Sequence, residues 1–205
     1  MAQRAVNTAD RKCQLRARVQ SLRDALPPEE IEARSEAIVR RVRELPGYRW
    51  SRSRLLFASF RSEVRTAALV RDTLRRGGRL VLPRVVGIEE PLALHQVLDP
   101  GADLRPGWCE IPEPIPERCP ELSVFDVDFI LVPGLAFDRE GGRLGYGAGF
   151  FDWVLSNRQD LVSSGAAVAV AFSLQLVDEV PMQSWDVHVP MIVTEDGLIK
   201  TDRHG

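Results

Sequence analysis

The feature that most limits what this chain can fold into is a glycine-rich segment at residues 134–155. It follows a β-branched, apolar run over 125–133, which is typical of a buried strand. It leads into a run of helix-forming residues over 150–158. Three glycines within it alternate with single residues: Gly145, Gly147 and Gly149. The segment therefore predicts a strand, a glycine-rich turn and a helix, in that order.

Proteins commonly build phosphate sites from this order of elements. Glycines let backbone N–H groups approach an anion closely, and a helix N-terminus adds a partial positive charge. Arg143 before the glycines can add a bidentate donor, and Asp152 after them can hold a magnesium ion through one oxygen. The spacing matches neither the Walker A motif nor the dinucleotide-binding fingerprint. Because a tight turn with positive φ values also needs glycines, the residues alone leave both interpretations open.

Two longer strings in this region resemble a known family. Residues 133–138 read Pro-Gly-Leu-Ala-Phe-Asp, and residues 143–152 read Arg-Leu-Gly-Tyr-Gly-Ala-Gly-Phe-Phe-Asp. Together they closely resemble the signature of the 5-formyltetrahydrofolate cyclo-ligases, also called methenyltetrahydrofolate synthetases. The resemblance covers nearly the whole chain and is weakest across residues 85–120.

Patterns along the rest of the chain predict strands that alternate with helices. The predicted helices cover 10–26, 28–45, 66–76 and 150–158, and the predicted strands cover 55–60, 79–83, 92–97, 125–133, 166–172 and 191–194. We expect a helical turn over 173–180 and a long irregular connection over 100–120. The fold class is therefore predicted as α/β: a single domain over 1–205 with a largely parallel, Rossmann-like sheet flanked by helices.

Cysteine usage and apolar content limit the cellular setting. The three cysteines, Cys13, Cys109 and Cys119, form no C-x-x-C pair, which argues against a disulfide framework or a zinc site. Residues 1–12 lack the apolar region of a signal peptide, and the longest apolar tract is too short to span a bilayer. We expect a cytoplasmic monomer with no membrane partner.

Charge is distributed unevenly along the chain. Residues 1–84 hold 20 Lys and Arg against nine Asp and Glu, whereas residues 85–205 hold seven against 20. Such asymmetry can indicate nucleic-acid binding. The basic residues are nearly all Arg and lack interleaved aromatic residues, so we expect no nucleic acid. The alternatives are that the basic half packs beside the acidic half or binds a small polyanion.

The first predicted helix carries an apolar stripe of Leu15, Val19, Leu22 and Leu26, and Thr8 or Asp10 is its expected cap.

Two cations on the same helix, off that stripe, are candidates for a phosphate site. Lys12 and Arg16 lie four residues apart, so their side chains neighbour each other on one face. Such a pair can clamp a phosphate but is more often a solvated surface, and here it resembles the family's Lys-x-x-Leu-Arg element, which contacts ATP. The resemblance implies catalytic roles for Lys12 and Arg143. It implies ATP contacts by Lys12, Cys13, Gln14, Leu15, Arg16, Arg143, Leu144, Gly145, Tyr146, Gly147, Ala148, Gly149, Phe150 and Phe151.

A second group of residues resembles the family's folate site. Glu63 follows the strand predicted over 55–60, at the carboxyl end where ligands gather in open α/β sheets, although an exposed loop carboxylate is the alternative. The resemblance implies folate contacts by Ala58, Glu63, Tyr146, Gly147, Ala148, Gly149 and Phe150. The long connection around Trp108 is expected to help wall the pterin pocket. The family commonly has a basic residue after the proline that Arg84 follows, so the resemblance implies a phosphate or glutamate-tail role for Arg84, with a surface salt bridge as the alternative.

Two aspartates are the expected magnesium ligands. The resemblance assigns this role to Asp152, which ends the glycine motif, and to Asp186. Two carboxylates together with phosphate oxygens form a ligand set that Mg²⁺ favours. His188 is interpreted as structural, because a hard cation prefers oxygen.

The resemblance implies an ATP- and Mg²⁺-dependent reaction on 5-formyltetrahydrofolate, with or without additional glutamates. ATP phosphorylates the formyl oxygen, N10 closes the ring, and 5,10-methenyltetrahydrofolate, ADP and phosphate are released. The family's Tyr-Tyr pair is here Phe150-Phe151, and Ala148 replaces a glycine or lysine found in relatives. These differences are expected to affect the efficiency of the reaction more than which reaction is catalysed. The alternatives are a non-catalytic folate- or nucleotide-binding paralogue and a nucleic-acid-associated protein.

Overall fold

The computed structural model describes residues 7–87 and 90–201. Its helices are α1 (Thr8–Asp24), α2 (Pro28–Glu44), α3 (Pro46–Trp50), α4 (Ala67–Arg75), α5 (Pro100–Asp103), α6 (Phe150–Asn157) and α7 (Gln159–Ser164). Its strands are β1 (Ser53–Leu55), β2 (Arg79–Arg84), β3 (Ala93–Val97), β4 (Leu104–Pro106), β5 (Pro112–Pro114), β6 (Glu121–Leu122), β7 (Phe129–Val132), β8 (Ala136–Phe137), β9 (Arg143–Leu144), β10 (Ala167–Val170), β11 (Met191–Val193) and β12 (Leu198–Lys200).

Eight of these strands form the central sheet, in the order β12-β11-β10-β7-β1-β2-β3-β6. The five strands from β11 to β2 pair in parallel, with Leu55 on β1 opposite Val81 on one side and Ile130 on the other. The edges are antiparallel, because β12 pairs antiparallel with β11 and β3 with β2. The prediction of a largely parallel sheet is confirmed.

Side chains alternate between the two faces of the sheet, as strand geometry requires. On β2, Leu80 and Leu82 join a buried cluster with residues of α2, α3 and α4, whereas Val81 joins a second cluster with residues of α6 and α7. Both clusters consist of side chains that are almost wholly removed from water. The parallel strands are therefore buried on both faces, which is the usual condition of parallel sheets.

The order of the strands creates a switch point between β1 and β7. The chain continues from β1 to β2 on one side of the sheet and later from β7 to β10 on the other. Open α/β sheets bind ligands in the crevice outside the carboxyl ends of the strands at such a point. Helix α1 lies over this end, where its buried Val19 packs on Ala136, Leu144 and Val180.

The apolar stripe predicted on the first helix is wrong in one turn. Leu22 is 51% exposed, whereas its neighbour Arg23 is only 3% exposed. The helix also begins earlier than predicted, because Asn7 rather than Thr8 or Asp10 caps it by accepting a hydrogen bond from Ala9 N.

Several predicted boundaries also need correction. The strand predicted over 55–60 ends at Leu55, because the next residues form a loop closed by a hydrogen bond from Thr66 Oγ1 to Phe57 O at 2.6 Å. The connection over 100–120 is not irregular throughout: it contains α5 and the β4–β5 hairpin. The strand predicted over 125–133 begins only at Phe129, after a 3₁₀ turn capped by Ser123. Only the first part of the turn expected over 173–180 is helical.

No helix in the described ranges 7–87 and 90–201 is long and apolar enough to cross a membrane.

Candidate active site

A cleft of about 1320 Å³ opens at the carboxyl ends of the central strands. Its walls include Phe57 and Ala58 after β1, Pro83 near the end of β2 and Pro133 directly after β7. Helix α1 forms a further wall, and the tip of the β4–β5 hairpin contributes Trp108. The cleft therefore occupies the switch point of the sheet, and the expectation that Trp108 helps wall a pocket agrees with its position.

The segment before the glycine loop (residues 145–149) is shaped by a carboxylate. Strands β8 and β9 form a short hairpin, and Asp138 lies at its turn. Asp138 Oδ1 accepts hydrogen bonds from Glu140 N and Gly142 N at 3.0 and 2.8 Å, and Oδ2 accepts one from Val180 N at 2.8 Å. Because these bonds satisfy buried amides, the hairpin holds Arg143 and Leu144 at the mouth of the loop.

The glycine loop needs two of its three glycines for conformational reasons. Gly147 has a φ of 118° and Gly149 a φ of 72°, which side chains with a Cβ rarely adopt. Gly149 is also the N-cap residue of α6, directly before its first residue. The N-terminus of α6 therefore faces the cleft, and backbone N–H groups of this first turn carry its partial positive charge. The phosphate-site and tight-turn interpretations of the glycines are thus compatible.

Two ion pairs stand beside the loop. The Arg143 guanidinium lies 2.6 Å from Asp152 Oδ2, and the Lys12 ammonium pairs with Asp186 Oδ2. Lys12 and Arg143 are both more than nine-tenths buried. Arg143 Nε is buried and has no hydrogen-bond partner among the residues that the structure describes. An unused, buried, cationic donor of this kind is suited to an anionic ligand.

Helix α1 brings only part of its predicted ATP motif to the cleft. Lys12 and Arg16 line it, and Arg16 Nε donates a hydrogen bond to Gly145 O at 2.9 Å. The other three residues of the motif, Cys13, Gln14 and Leu15, do not line the cleft. The helical repeat turns them to other faces, where Cys13 is exposed and Leu15 packs on the cluster around Val19.

The two predicted magnesium ligands lie together. Asp152 Oδ1 accepts a hydrogen bond from Val187 N at 3.2 Å, and Asp186 Oδ2 accepts one from Gln183 N at 2.7 Å. No group of three or more Asp, Glu, His or Cys side chains that could hold a metal occurs within 7–87 and 90–201. Because Mg²⁺ is commonly held by one or two carboxylates and completed by phosphate oxygens, this donor set fits Mg²⁺ delivered with a nucleotide.

The opposite end of the cleft holds a carboxylate paired with a phenol. Tyr146 Oη donates a hydrogen bond to Glu63 Oε1, and Phe60 N donates one to Oε2 at 3.0 Å. Removal from water raises the pKa of the Glu63 carboxyl, and the two hydrogen bonds oppose that rise. Removal from water, followed by the negative charge of Glu63, raises the pKa of the Tyr146 phenol. The pair couples the glycine loop to the segment after β1.

Most residues assigned by the resemblance line this one cleft. They are Lys12, Arg16, Ala58, Glu63, Arg143, Leu144, Gly145, Tyr146, Gly147, Ala148, Gly149, Phe150, Phe151, Asp152 and Asp186. Arg84 does not line it, because it lies in β2 opposite Ala93 rather than after the strand. Sequence reasoning missed other lining residues, including Gln20, Arg23, Gln183 and Trp185. Gln20 and Arg23 continue the face of α1 that starts at Lys12 and Arg16, so helical spacing could have found them.

Comparison with known proteins identifies a family that this chain resembles over nearly its whole length. Residues 8–195 match the model of the 5-formyltetrahydrofolate cyclo-ligase family. The 5-formyltetrahydrofolate cyclo-ligase of Escherichia coli (strain K12) is 30% identical over 176 residues, which cover 86% of this chain and 96% of the relative. The Mus musculus 5-formyltetrahydrofolate cyclo-ligase is 28% identical over 208 residues, which cover 96% of this chain and 98% of the relative.

A solved structure is similar in fold as well as in sequence. The NMR structure of Aquifex aeolicus 5,10-methenyltetrahydrofolate synthetase matches with a TM-score of 0.80 and 34% identity, over 95% of this chain and 94% of that chain. This match confirms the predicted α/β fold with its largely parallel sheet. With a family match over nearly its whole length, the chain belongs to the 5-formyltetrahydrofolate cyclo-ligase family.

Proposed function

We propose that this protein converts 5-formyltetrahydrofolate to 5,10-methenyltetrahydrofolate, with ATP as co-substrate and Mg²⁺ as metal ion. The observation that carries the proposal is one cleft with two chemically different ends. One end has cations, loop amides and paired aspartates around the start of α6, and the other has the Glu63–Tyr146 pair. Since one chain supplies both ends, we also propose that a monomer suffices, on folates with or without additional glutamates.

The first end supplies phosphate binding. Lys12, Arg16 and Arg143 provide positive charge, and the amides at the start of α6 provide donors that point into the cleft. Asp152 and Asp186 would hold Mg²⁺, which supplies charge neutralisation on the phosphate oxygens when bound. Phosphoryl transfer depends mainly on alignment and charge neutralisation, so this group of residues matches the demand of the reaction.

Between the two ends, the glycine loop borders both proposed substrates. The formyl oxygen of the folate is an amide-like oxygen and a poor leaving group. Transfer of the γ-phosphoryl group to it gives an imidate phosphate and ADP, after which N10 attacks the formyl carbon, loses its proton, and phosphate leaves. Tyr146 within the loop and Phe150 directly after it both line the cleft and supply aromatic faces for the pterin.

Oxygen isotope transfer tests this route. 5-Formyltetrahydrofolate labelled with ¹⁸O in the formyl group is incubated with the protein, ATP and Mg²⁺, and the released phosphate is analysed by mass spectrometry. We expect one ¹⁸O atom per phosphate and one ADP per methenyl product, with no turnover when ATP is omitted. Turnover that leaves the label out of phosphate would overturn the phosphorylation step, and absence of ATP-dependent turnover would overturn the proposed function.

A further inference from the structure

Arg23 occupies a position that the pattern of its helix does not explain. The stripe of α1 predicts an apolar residue facing inward in this turn, yet Leu22 faces solvent and Arg23 is 3% exposed. Burial of a guanidinium is costly unless it is paired or hydrogen-bonded. The buried position of Arg23 therefore indicates that a polar or anionic partner interacts with its guanidinium.

The protein uses only part of the hydrogen-bonding capacity of Arg23. Its Nε donates a hydrogen bond to Ser62 Oγ at 3.0 Å, and Ser62 in turn donates to Asp24. Its Cζ lies 5.9 Å from the centre of the Tyr146 ring. A guanidinium has five N–H donors, and Ser62 accepts from one of them. The single hydroxyl of Tyr146 is too small an acceptor to occupy all of the others. Arg23 also lines the cleft.

Beside this donor stands an acceptor with spare capacity. Each oxygen of Glu63 accepts one hydrogen bond from the protein, from Tyr146 or from Phe60 N, and an ionised carboxylate can accept about four. Burial raises the pKa of the Glu63 carboxyl, and the positive charge of Arg23 is one of the interactions that oppose this rise. Arg23 and Glu63 also line a small recess together with Pro133, at the switch point of the sheet. The folate end of the cleft thus presents an acceptor and a donor next to each other.

We propose that Arg23 determines specificity by reading the 4-oxo group of the pteridine while Glu63 reads the adjacent donors. One edge of a 2-amino-4-oxopteridine carries the 2-amino group, N3–H and the 4-oxo group, which are donor, donor and acceptor. Glu63 accepts from the first two, and the Arg23 guanidinium donates to the third. The inference rests on the proposed function, because it takes this end of the cleft as the pteridine site.

The test compares folic acid with 4-amino-4-deoxyfolic acid, in which an amino group replaces the 4-oxo group and N3 carries no hydrogen. Because the change at N3 affects the wild type and the variants alike, a change in the ratio of affinities on replacing Arg23 reports on position 4. Dissociation constants are measured at pH 8 by titration calorimetry for the wild type, Arg23→Met and Arg18→Met. Arg18 is exposed on the same helix, so its variant is the matched control. We expect Arg23→Met to weaken binding of the 4-oxo ligand relative to the 4-amino ligand by about 10- to 100-fold, the range for a charged hydrogen bond. Arg18→Met should leave the ratio as in wild type.

A spectroscopic measurement keeps the inference testable even if Arg23→Met does not fold. The infrared stretch of an isotope-labelled 4-carbonyl is recorded for folic acid bound to the wild-type protein. A charged donor polarises the carbonyl, so we expect the stretch at lower frequency than in water. An unshifted or raised frequency would contradict the assignment.

The outcomes separate the inference from the proposed function. If the wild type turns over 5-formyltetrahydrofolate but Arg23→Met keeps the wild-type ratio of affinities, the assignment of Arg23 is wrong and the proposed function stands. If the wild type binds neither ligand and shows no turnover, both are wrong.

Discussion

At the residue scale, the cations proposed to bind ATP form ion pairs with the carboxylates proposed to bind Mg²⁺. Lys12 pairs with Asp186, and Arg143 pairs with Asp152. When ATP and Mg²⁺ bind, Lys12 and Arg143 would pair with phosphate groups instead of with the aspartates. Asp152 and Asp186 would then pair with Mg²⁺. Since each exchange leaves the other partner in need of a counterion, nucleotide and metal are expected to bind more tightly together than alone.

Replacement of Arg143 tests its role at the phosphate end. In Arg143→Gln the buried cation is lost, and Asp152 loses the guanidinium 2.6 Å away. We expect kcat/KM for ATP to fall by about 10²- to 10³-fold, as on removal of one preorganised donor to transition-state charge. Steady-state kinetics measure the effect, and Arg105→Gln on an exposed strand residue is the control. A fall below threefold would contradict the assignment.

The raised pKa of Glu63 predicts a pH dependence of stability. Its ordinary value is 4.5, and burial raises the folded-state pKa above that. Above pH 4.5 the folded protein therefore binds more protons at this site than the unfolded chain, so this carboxyl lowers the free energy of unfolding as pH rises through its folded pKa.

The Glu63→Gln variant lacks that titration. Thermal unfolding midpoints measured from pH 4.5 to 7 should therefore rise for the variant relative to wild type as the pH increases. Glu140→Gln, at an exposed glutamate, should show no such trend. A midpoint difference that is constant with pH, or that shrinks, would show that the pKa is not raised.

The charged groups of the phosphate end were predicted from the sequence, whereas Arg23 was missed although it continues the helix face of Lys12 and Arg16. Lys12 and Arg16 follow the four-residue spacing of a helix face, and Asp152 belongs to an extended motif. The apolar stripe predicts that Leu22, rather than Arg23, faces inward in this turn. Its inward position depends on Ser62 and Tyr146, which only the folded chain brings close.

At the element scale, the glycine loop is held by the β8–β9 hairpin before it and by α6 after it. Each strand of that hairpin has two residues, so no alternation of apolar and polar residues marks it in the sequence. The order strand, glycine turn and helix was predictable because β7 and α6 carry long patterns. The extra hairpin depends on Asp138, whose hydrogen bonds reach Val180 far along the chain.

Gly147→Ala tests whether the backbone of the loop is needed as it stands. At φ 118° an added Cβ has room, its nearest neighbour being Arg16 at 3.8 Å, so the cost is conformational. We expect the alanine to destabilise this conformation of the loop by about 1–3 kcal/mol, which should raise KM for ATP. Gly77→Ala is the control, because Gly77 also has a positive φ and room for a Cβ but lies outside the cleft, so KM for ATP should not change. An unchanged KM for ATP in Gly147→Ala would contradict a rigid loop.

At the scale of the whole molecule, the two ends of the central strands serve different purposes. The carboxyl ends form the cleft, whereas the start of β7 belongs to the hydrophobic core. There Phe129 is fully buried, and the centre of its ring lies 5.4 Å from that of Tyr48 in an edge-on arrangement. The alternation of strands and helices allowed the parallel sheet to be predicted. The antiparallel edges and the strand order could not be, because they depend on pairings between distant segments.

On this basis, Phe129→Ala is expected to lower the stability of the protein without changing substrate binding. The cavity should lower the free energy of unfolding by about 3–5 kcal/mol, measured by urea denaturation, while KM values of the folded enzyme stay near wild type. Phe125→Ala is the matched control, because Phe125 is 70% exposed four residues earlier and should change stability by less than about 0.5 kcal/mol. A raised KM in Phe129→Ala would show that the two ends are coupled.

The measurement that most directly tests the central claim follows methenyltetrahydrofolate by its absorbance. 5-Formyltetrahydrofolate, ATP and Mg²⁺ are supplied to the wild type, to Asp152→Asn and to the exposed-site control Asp178→Asn. We predict Mg²⁺-dependent turnover by the wild type and the control, and loss of at least about 10²-fold in Asp152→Asn. Turnover by Asp152→Asn at the wild-type rate would contradict the proposed metal site, and no turnover by the wild type would contradict the proposed reaction.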